Sequence, residues 1–130
     1  MNLVDIELRS NQPIYEQIVA QVKEQVIRGL LRAGDPIPSI RKLSVMTQVN
    51  PNTVARAYQE LERMEIIETV TGRGTFIRGL PTPRLEPEKI ERLRRQLKPP
   101  LMELKLLGMG RDGILREVDG ILQDLEGEGQ

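Results

Sequence analysis

The sequence contains no cysteine, no histidine and no tryptophan, and it has only two tyrosines and one phenylalanine. Without cysteine the chain forms no disulfide and no thiolate metal site, and it suits a reducing compartment without requiring one. Without histidine it lacks the commonest general base and the commonest transition-metal ligand. No carboxylates cluster at the spacing of a catalytic motif. We therefore expect neither an enzyme nor a bound metal or cofactor.

Long apolar runs are also missing. No stretch of the sequence approaches the length of a membrane span, and residues 1–7 lack the pattern of a secretory signal. The chain is therefore predicted to be soluble and cytoplasmic, with no membrane partner. Its 130 residues are enough for one ordinary domain, or for a small domain with an appendage.

An excess of positive charge is absent as well, because 19 lysines and arginines balance 19 aspartates and glutamates. A strongly basic domain is the usual mark of a nucleic-acid-binding protein, so the total argues against one. The distribution argues the other way. No acidic residue occurs from Pro36 to Gln59 or from Thr69 to Leu85, and both windows contain arginine. The windows predict a locally basic surface of modest non-specific affinity, so that tight DNA binding would need a dimer.

Residues 51–64 have the pattern of a helix with two different faces. Asn50 is suited to cap the helix, and Pro51 is suited to its first position. An apolar stripe at spacings of three and four contains Val54, Ala57, Tyr58, Leu61 and Met64. The opposite face contains Asn52, Arg56, Gln59 and Arg63. Amides and guanidiniums make paired hydrogen bonds with base edges, so this face either recognises DNA or, as most polar helix faces do, meets solvent alone.

Other elements are predicted before this helix. Alternation at residues 5–8 indicates a short strand. Ile14, Ile18, Val22 and Val26 recur every four residues, which predicts an amphipathic core helix over about residues 13–31. A turn cluster follows at residues 33–36.

A short helix of about two turns is predicted next, with Ser39 as its cap and with Ile40, Leu43 and Met46 or Thr47 facing inward. A short helix, a turn and a longer helix form a helix-turn-helix, in which the second helix enters the major groove of DNA. Arg41 and Lys42 would then lie near phosphates. Taken alone, this pair is more simply explained as two solvated cations.

Residues 66–78 indicate a β-hairpin that would form a wing. Two β-branched and aromatic runs flank Thr71-Gly72-Arg73-Gly74, whose glycines suit a tight loop. Arg73 at the tip would reach a phosphate or a minor groove. The same glycines fit a nucleotide-binding loop poorly, because the third glycine is missing and a strand follows.

Three motifs in order resemble the amino-terminal winged helix-turn-helix of GntR-type bacterial transcription regulators. They are Pro-Ser-Ile-Arg at residues 38–41, Val-Asn-Pro-Asn-Thr-Val at 49–54 and Gly-Arg-Gly-Thr-Phe-Ile at 72–77. The similarity runs from about Pro13 to Gly79. Asn-Pro-Asn-Thr-Val followed by Arg-Ala-Tyr resembles the YtrA subfamily in particular. The carboxy-terminal part of that subfamily is a short helical segment rather than a large ligand-binding domain.

The resemblance implies a homodimeric regulator, usually a repressor, that binds a palindromic operator. It also implies that Arg41, Asn52, Thr53, Arg56 and the tip of the wing lie at the DNA. Together with the helix face described above, the candidate DNA-binding residues are Ser39, Arg41, Lys42, Asn50, Asn52, Thr53, Arg56, Gln59, Gly72, Arg73, Gly74 and Thr75.

The carboxy-terminal residues predict short leucine-rich helices after a stiff linker at residues 80–86. One helix is predicted from Pro87 to about Lys98 and a second from about Pro100 to Leu107, because Pro100 should end or kink a helix. A third follows the turn at residues 108–110. The candidate dimerisation residues are Ile90, Leu93, Leu97, Leu101, Leu104, Ile114, Leu115, Val118, Ile121 and Leu122. Residues 126–130 are predicted to form a disordered tail.

The leucine-rich faces must pack either on the winged domain or on another copy of the chain. We favour self-association, since intramolecular packing alone would leave a monomer. The leucine-rich helices show no convergent polar residues, so the sequence identifies no small-molecule effector.

The predicted fold is α+β and mainly α, with a winged helix-turn-helix at residues 1–79, the linker and a helical dimerisation segment at 87–125. The predicted function is that of a sequence-specific transcription regulator, with helix 51–64 in the major groove and wing 67–78 on the minor groove or backbone. The alternative is a winged-helix protein-interaction module without specific DNA binding. Such a module would need an exposed apolar patch on the recognition face, and the polar residues there do not provide one.

Overall fold

The computed structural model describes residues 3–126 of the chain. Within this range the helices and strands are α1 Ile14–Ile27, β1 Pro36–Ile37, α2 Ile40–Thr47, α3 Pro51–Arg63, β2 Ile67–Val70, β3 Gly74–Ile77, α4 Pro87–Leu106 and α5 Arg111–Glu126. Residues 3–81 belong to one compact unit, and Thr82–Leu125 form a second. The predicted α+β, mainly helical fold is confirmed.

The core of the first unit is built by α1, α2, α3 and a small antiparallel sheet. Its largest fully buried side chains are Tyr58, Ile18, Leu43, Leu61, Ile67, Ile77, Val22 and Val54. The apolar stripes predicted for α1 and α3 therefore face the core, as the helical period requires. In α2 the prediction was wrong for Ile40, which is exposed, and of the alternatives Met46 and Thr47 it is Thr47 that is partly buried. Eight residues give α2 only a narrow inner face, which Leu43 and Ser44 occupy.

The strand predicted at residues 5–8 is not present. Residues 3–7 instead bond to glutamine side chains of α1, in the pairs Leu3 with Gln25, Asp5 with Gln21 and Glu7 with Gln17. The spacing explains the pairing, because two extended residues span about 6.8 Å and four helical residues about 6 Å. Side-chain amides thus take the place of a neighbouring strand.

We expect Gln17→Leu to destabilise the fold by about 1–3 kcal/mol, which urea unfolding at fixed protein concentration would measure. Gln17 is 4% exposed. It accepts from the Glu7 amide at 2.8 Å and donates to the Glu7 and Gln12 carbonyls at 3.0 and 2.9 Å. Leucine would leave all three groups without their partner.

The matched control is Gln21→Leu. Gln21 makes the equivalent pair of bonds with Asp5, but these bonds are exposed, so water replaces them and the expected loss is below about 1 kcal/mol. Equal losses for the two variants would show that the buried bonds of Gln17 are not what holds the amino-terminal segment.

Helix α1 ends at Ile27 rather than near residue 31, because Gly29 adopts a left-handed conformation with φ 78°. The Leu30 amide then donates to the Gln25 carbonyl at 2.9 Å, and the Gly29 amide donates to the Val26 carbonyl at 3.1 Å. Glycine takes this conformation without strain, and the chain turns away from the helix axis. The sequence predicted a longer helix since its apolar period continues to Leu30.

The sheet has the strand order β1-β3-β2, and its outer strand β1 was not predicted. Pro36 pairs with Phe76, and Ile37 pairs with Thr75. Two residues are too short for a recognisable alternation, and proline fits an edge position where no ladder donor is needed. The predicted hairpin is confirmed, with Ile67 opposite Ile77 and Val70 opposite Gly74.

The second unit corrects the predicted helix layout. Helix α4 runs without a break from Pro87 to Leu106, through Pro99 and Pro100. Proline removes the amide donors that the carbonyls of residues 95 and 96 would use. All residues from 87 to 100 are exposed, so water can bond to these carbonyls while the flanking turns keep the helix continuous.

Helix α5 includes Glu126, so the predicted disordered tail is wrong at that residue, and residues 127–130 lie outside the described part of the chain. Leu101 of α4 lines a shallow cavity of about 260 Å³ with Ile114 and Leu115 of α5. No helix within residues 3–126 combines the length and apolarity that a bilayer crossing requires.

Candidate nucleic-acid interface

The turn between α2 and α3 is held by side chains from both helices. Gln48 ends α2 with φ 58°, and the Ser44 hydroxyl donates to the Val49 carbonyl at 2.5 Å. The Tyr58 hydroxyl, from the middle of α3, donates to the Pro38 carbonyl at 2.6 Å. Burial raises the pKa of Tyr58, so its phenol stays protonated and remains a donor. These bonds fix the start of α2 relative to α3.

Two of the predicted DNA-binding residues cap these helices. The Ser39 hydroxyl accepts from the Lys42 amide at 3.1 Å, and the Asn50 side-chain oxygen accepts from the Asn52 amide at 2.8 Å. Each cap satisfies an amide that the first helical turn leaves without a partner. The caps therefore define where α2 and α3 begin, and Arg41 and Lys42 are exposed in the first turn of α2.

The outer face of α3 presents polar side chains to solvent. Asn52, Arg56 and Gln59 are exposed on this face, and Thr53 beside them is partly buried. The Arg56 guanidinium lies over the Tyr15 ring of α1, 3.8 Å from the ring centroid. Because the inner face of α3 is buried in the core, these side chains project from a rigid support.

Arg63 continues the same helix but is engaged within the protein. Its guanidinium donates to the Glu60 carboxylate, with N–O distances of 2.5, 3.2 and 3.3 Å. This hydrogen bond, together with the positive charges of Arg63 and Arg56, lowers the pKa of the Glu60 carboxyl. The polar face of α3 thus divides into an acid-free first half and a second half whose arginine is neutralised.

The wing presents Arg73 at its tip. Gly72 and Gly74 flank it with φ 80° and 120°, values that a residue with a side chain rarely adopts. The Arg73 amide donates to the Val70 carbonyl at 2.9 Å and closes the turn, while the Arg73 residue is exposed. Thr75 was predicted beside these residues, but it is 8% exposed. It pairs with both Ile37 and Thr69 in the sheet, so its side chain is not brought to this surface.

The sequence missed four side chains that position this surface: Tyr15, Ser44, Tyr58 and Glu60. Tyr58 was assigned to the core by helical period, and no pattern within one helix shows a bond to another element. Arginine and glutamate three residues apart are ordinary helix neighbours. That spacing is the one available signal that Glu60 would engage Arg63.

A helix-turn-helix followed by a β-hairpin, with a polar helix face between basic residues, defines a winged-helix DNA-binding protein. The family model described as "Bacterial regulatory proteins, gntR family" matches residues 14–77. The chain belongs to the GntR family of bacterial transcription regulators. Since the members are regulators, the prediction that the chain is not an enzyme is also confirmed.

The relatives extend the similarity to nearly the whole chain and confirm the predicted likeness to YtrA. The repressor YtrA of Bacillus subtilis strain 168 is 38% identical over 125 residues, which cover 96% of each chain. A structure from Listeria monocytogenes EGD-e, described as a transcriptional antiterminator, is 44% identical with a TM-score of 0.82, covering 97% of this chain and 94% of that one. YtrA from Sulfolobus acidocaldarius is 30% identical with a TM-score of 0.53, covering 93% and 97%.

Proposed function

We propose that the protein is a homodimeric, sequence-specific repressor that binds a palindromic operator in the cytoplasm. The observation that carries the proposal is the joint exposure of Asn52, Arg56 and Gln59 on α3, whose other face is buried. Amide side chains pair with adenine, and arginine pairs with guanine, in the major groove. Helix α3 would therefore enter that groove and supply the contacts that distinguish one sequence from another.

Phosphate contacts would orient α3 on the duplex. Arg41 and Lys42 lie in the first turn of α2, where a helix-turn-helix approaches the backbone. Arg73 at the tip of the wing would reach a phosphate or the minor groove. The absence of carboxylates from residues 36–59 and 69–85 leaves these cations without nearby acidic groups in sequence. Because these cations are few, non-specific binding would be weak, and its affinity would fall only gradually with salt.

Dimerisation is supported by the exposed apolar faces of the second unit. Of the candidate dimerisation residues, Ile114 is buried and Leu101 and Leu104 are partly buried, while Ile90, Leu93, Leu97, Leu115, Val118, Ile121 and Leu122 are exposed. Helix α4 has no buried residue along its 20 positions. Helices in proteins gain most of their stability from packing, so α4 needs a partner surface.

The charges of α4 and α5 make a second copy of the chain the fitting partner. Helix α4 contains six basic and three acidic side chains, whereas α5 contains two basic and five acidic ones. An α4 of one chain and an α5 of another would therefore attract each other. A two-fold dimer repeats each contact twice, because both subunits offer the same surfaces.

The operator geometry follows from this symmetry. A two-fold dimer would present two copies of α3 to successive major grooves, roughly 34 Å apart, or about ten base pairs. Repression would then result from occupancy of a promoter, and the Bacillus subtilis relative is itself a transcriptional repressor. The protein-interaction alternative is less well supported, since Asn52, Arg56 and Gln59 make the exposed face of α3 polar.

Selection from random duplexes tests the proposal. The full-length protein should enrich an inverted repeat whose half-site centres lie about ten base pairs apart, or a multiple of that distance. Placing the enriched duplex over a reporter promoter should then lower transcription when the protein is expressed. Enrichment of no sequence would contradict specific binding, a single unrepeated site would contradict the dimer, and raised transcription would contradict repression.

Arg73→Ala should weaken binding to every duplex about equally and reduce the slope of log K against log salt by about one unit. The reason is that a phosphate contact releases about one counterion and distinguishes no base. Fluorescence anisotropy at several salt concentrations would measure both quantities. Arg84→Ala is the matched control, because Arg84 is exposed beyond the wing and its Nε lies 3.7 Å from the Glu86 carboxylate. An unchanged slope in Arg73→Ala would remove its phosphate role.

A further inference from the structure

The contact between Arg56 and Tyr15 joins the candidate recognition helix to a helix outside the helix-turn-helix. Tyr15 lies in the first turn of α1 and is partly buried against the hydrophobic core. Arg56 lies on the exposed face of α3, and its guanidinium carbon is 3.8 Å from the Tyr15 ring centroid. One partner of the contact is thus anchored in the core, and the other is free to meet a ligand.

At 3.8 Å from the ring centroid, the guanidinium carbon is close enough for the group to stack on the Tyr15 ring. A stacked guanidinium uses its face in the contact, whereas its N–H donors lie in the plane of the group and point outward from its rim. A stacked arginine can therefore still form the two parallel bonds that guanine accepts through O6 and N7. Arg63 shows the opposite arrangement, since its N–H donors are directed to Glu60.

Stacking also lowers the entropic cost of fixing the arginine side chain when DNA binds. A free arginine side chain loses rotamer freedom when it is fixed in one conformation. Where the ring of Tyr15 already holds the guanidinium, part of that loss has occurred before DNA arrives. A preorganised side chain therefore binds more tightly than a mobile side chain with the same contacts.

We propose that Tyr15 is a positioning residue for base recognition by Arg56: its ring holds the guanidinium in a conformation whose N–H edge faces the major groove. The inference rests on the proposed function, because it assigns a specificity role within the same DNA-binding surface. It adds α1 to the elements that determine which sequence is bound. Tyr15 itself would touch no base.

The test is a double-mutant cycle with fluorescence anisotropy, using the duplex enriched by selection and a scrambled duplex. Tyr15→Leu should weaken binding to the enriched duplex about two- to fivefold and leave binding to the scrambled duplex unchanged. Tyr15→Phe should bind as the unmodified protein does, because the ring face remains. In an Arg56→Ala background, Tyr15→Leu should cause no further loss.

A merely structural role would produce a different pattern. The positioning role would be overturned if Tyr15→Leu weakened binding to both duplexes. It would also be overturned if the affinity losses caused by Tyr15→Leu and Arg56→Ala multiplied in the double variant. Tighter binding by Tyr15→Leu would overturn it as well, since this would mean that the ring holds Arg56 away from DNA. Thermal unfolding of each variant provides the check that the fold is retained.

The same measurements separate this inference from the proposed function. If the unmodified protein binds both duplexes equally, specific DNA recognition fails and the positioning role fails with it. If the unmodified protein discriminates between the duplexes and Tyr15→Leu discriminates equally well, only the positioning role is overturned.

Discussion

Leu97→Asp is expected to convert the protein to a monomer and to weaken operator binding about a hundredfold or more. Leu97 lies on α4 and is 60% exposed in a single chain. In the proposed dimer its side chain would be buried against apolar surface, where a carboxylate is strongly disfavoured. A monomer binds one half-site only, and the loss of a linked second site typically costs a factor of about 10²–10⁴.

Leu106→Asp is the matched control for this experiment. Leu106 is 86% exposed on the same helix. Nine residues at 100° each place it on the side of α4 opposite to Leu97. Sedimentation should show a dimer for the unmodified chain and Leu106→Asp and a monomer for Leu97→Asp. A dimeric Leu97→Asp would mean that α4 does not form the interface through this face.

Arg56→Ala is expected to weaken binding to the enriched duplex by about 1–3 kcal/mol, or roughly 5- to 150-fold, and to relax the preference at one operator position. The loss is specific to the operator because the paired hydrogen bonds of Arg56 to a base edge form only where the duplex offers that base. Anisotropy with duplexes substituted one base pair at a time would locate the relaxed position. Binding to scrambled DNA should change much less.

Arg63→Ala provides the comparison for Arg56→Ala. Both arginines lie on α3 and both are exposed, but the N–H donors of Arg63 are held by Glu60. Its removal should therefore affect operator binding little. Equal losses on operator and scrambled DNA for Arg56→Ala would contradict base recognition by this residue, and a larger loss for Arg63→Ala would move recognition to the second half of the helix.

The sequence predicted those parts of the fold that short-range chemistry determines. The caps of α2 and α3, Ser39 and Asn50, form the bonds that their residue types favour. The hairpin forms around Gly72 and Gly74 because both take positive φ. Each of these features depends on residues within a few positions of one another, so a local pattern is sufficient to indicate it.

The errors in the prediction have longer-range causes. The amino-terminal segment bonds to Gln17 and Gln21 across ten and sixteen positions, and no alternation of residue types shows such a pairing. Pro100 was expected to end or kink a helix. The free-energy cost of the missing hydrogen bonds is small, however, because water can bond to the carbonyls that lack an amide donor. The same limit applies to the candidate site, since the contact of Tyr15 with Arg56 requires that α1 and α3 already be packed together.

The central claim, that α3 distinguishes one DNA sequence from others, is tested most directly by fluorescence anisotropy of the full-length protein. It would be titrated with the duplex just upstream of its own gene and with a scrambled duplex, each at two salt concentrations. The expected result is tighter binding to the first duplex, with the difference retained at the higher salt. If the protein instead bound both duplexes equally and lost affinity for both in parallel as salt rose, sequence recognition would be contradicted, and only a weakly basic winged helix would be left.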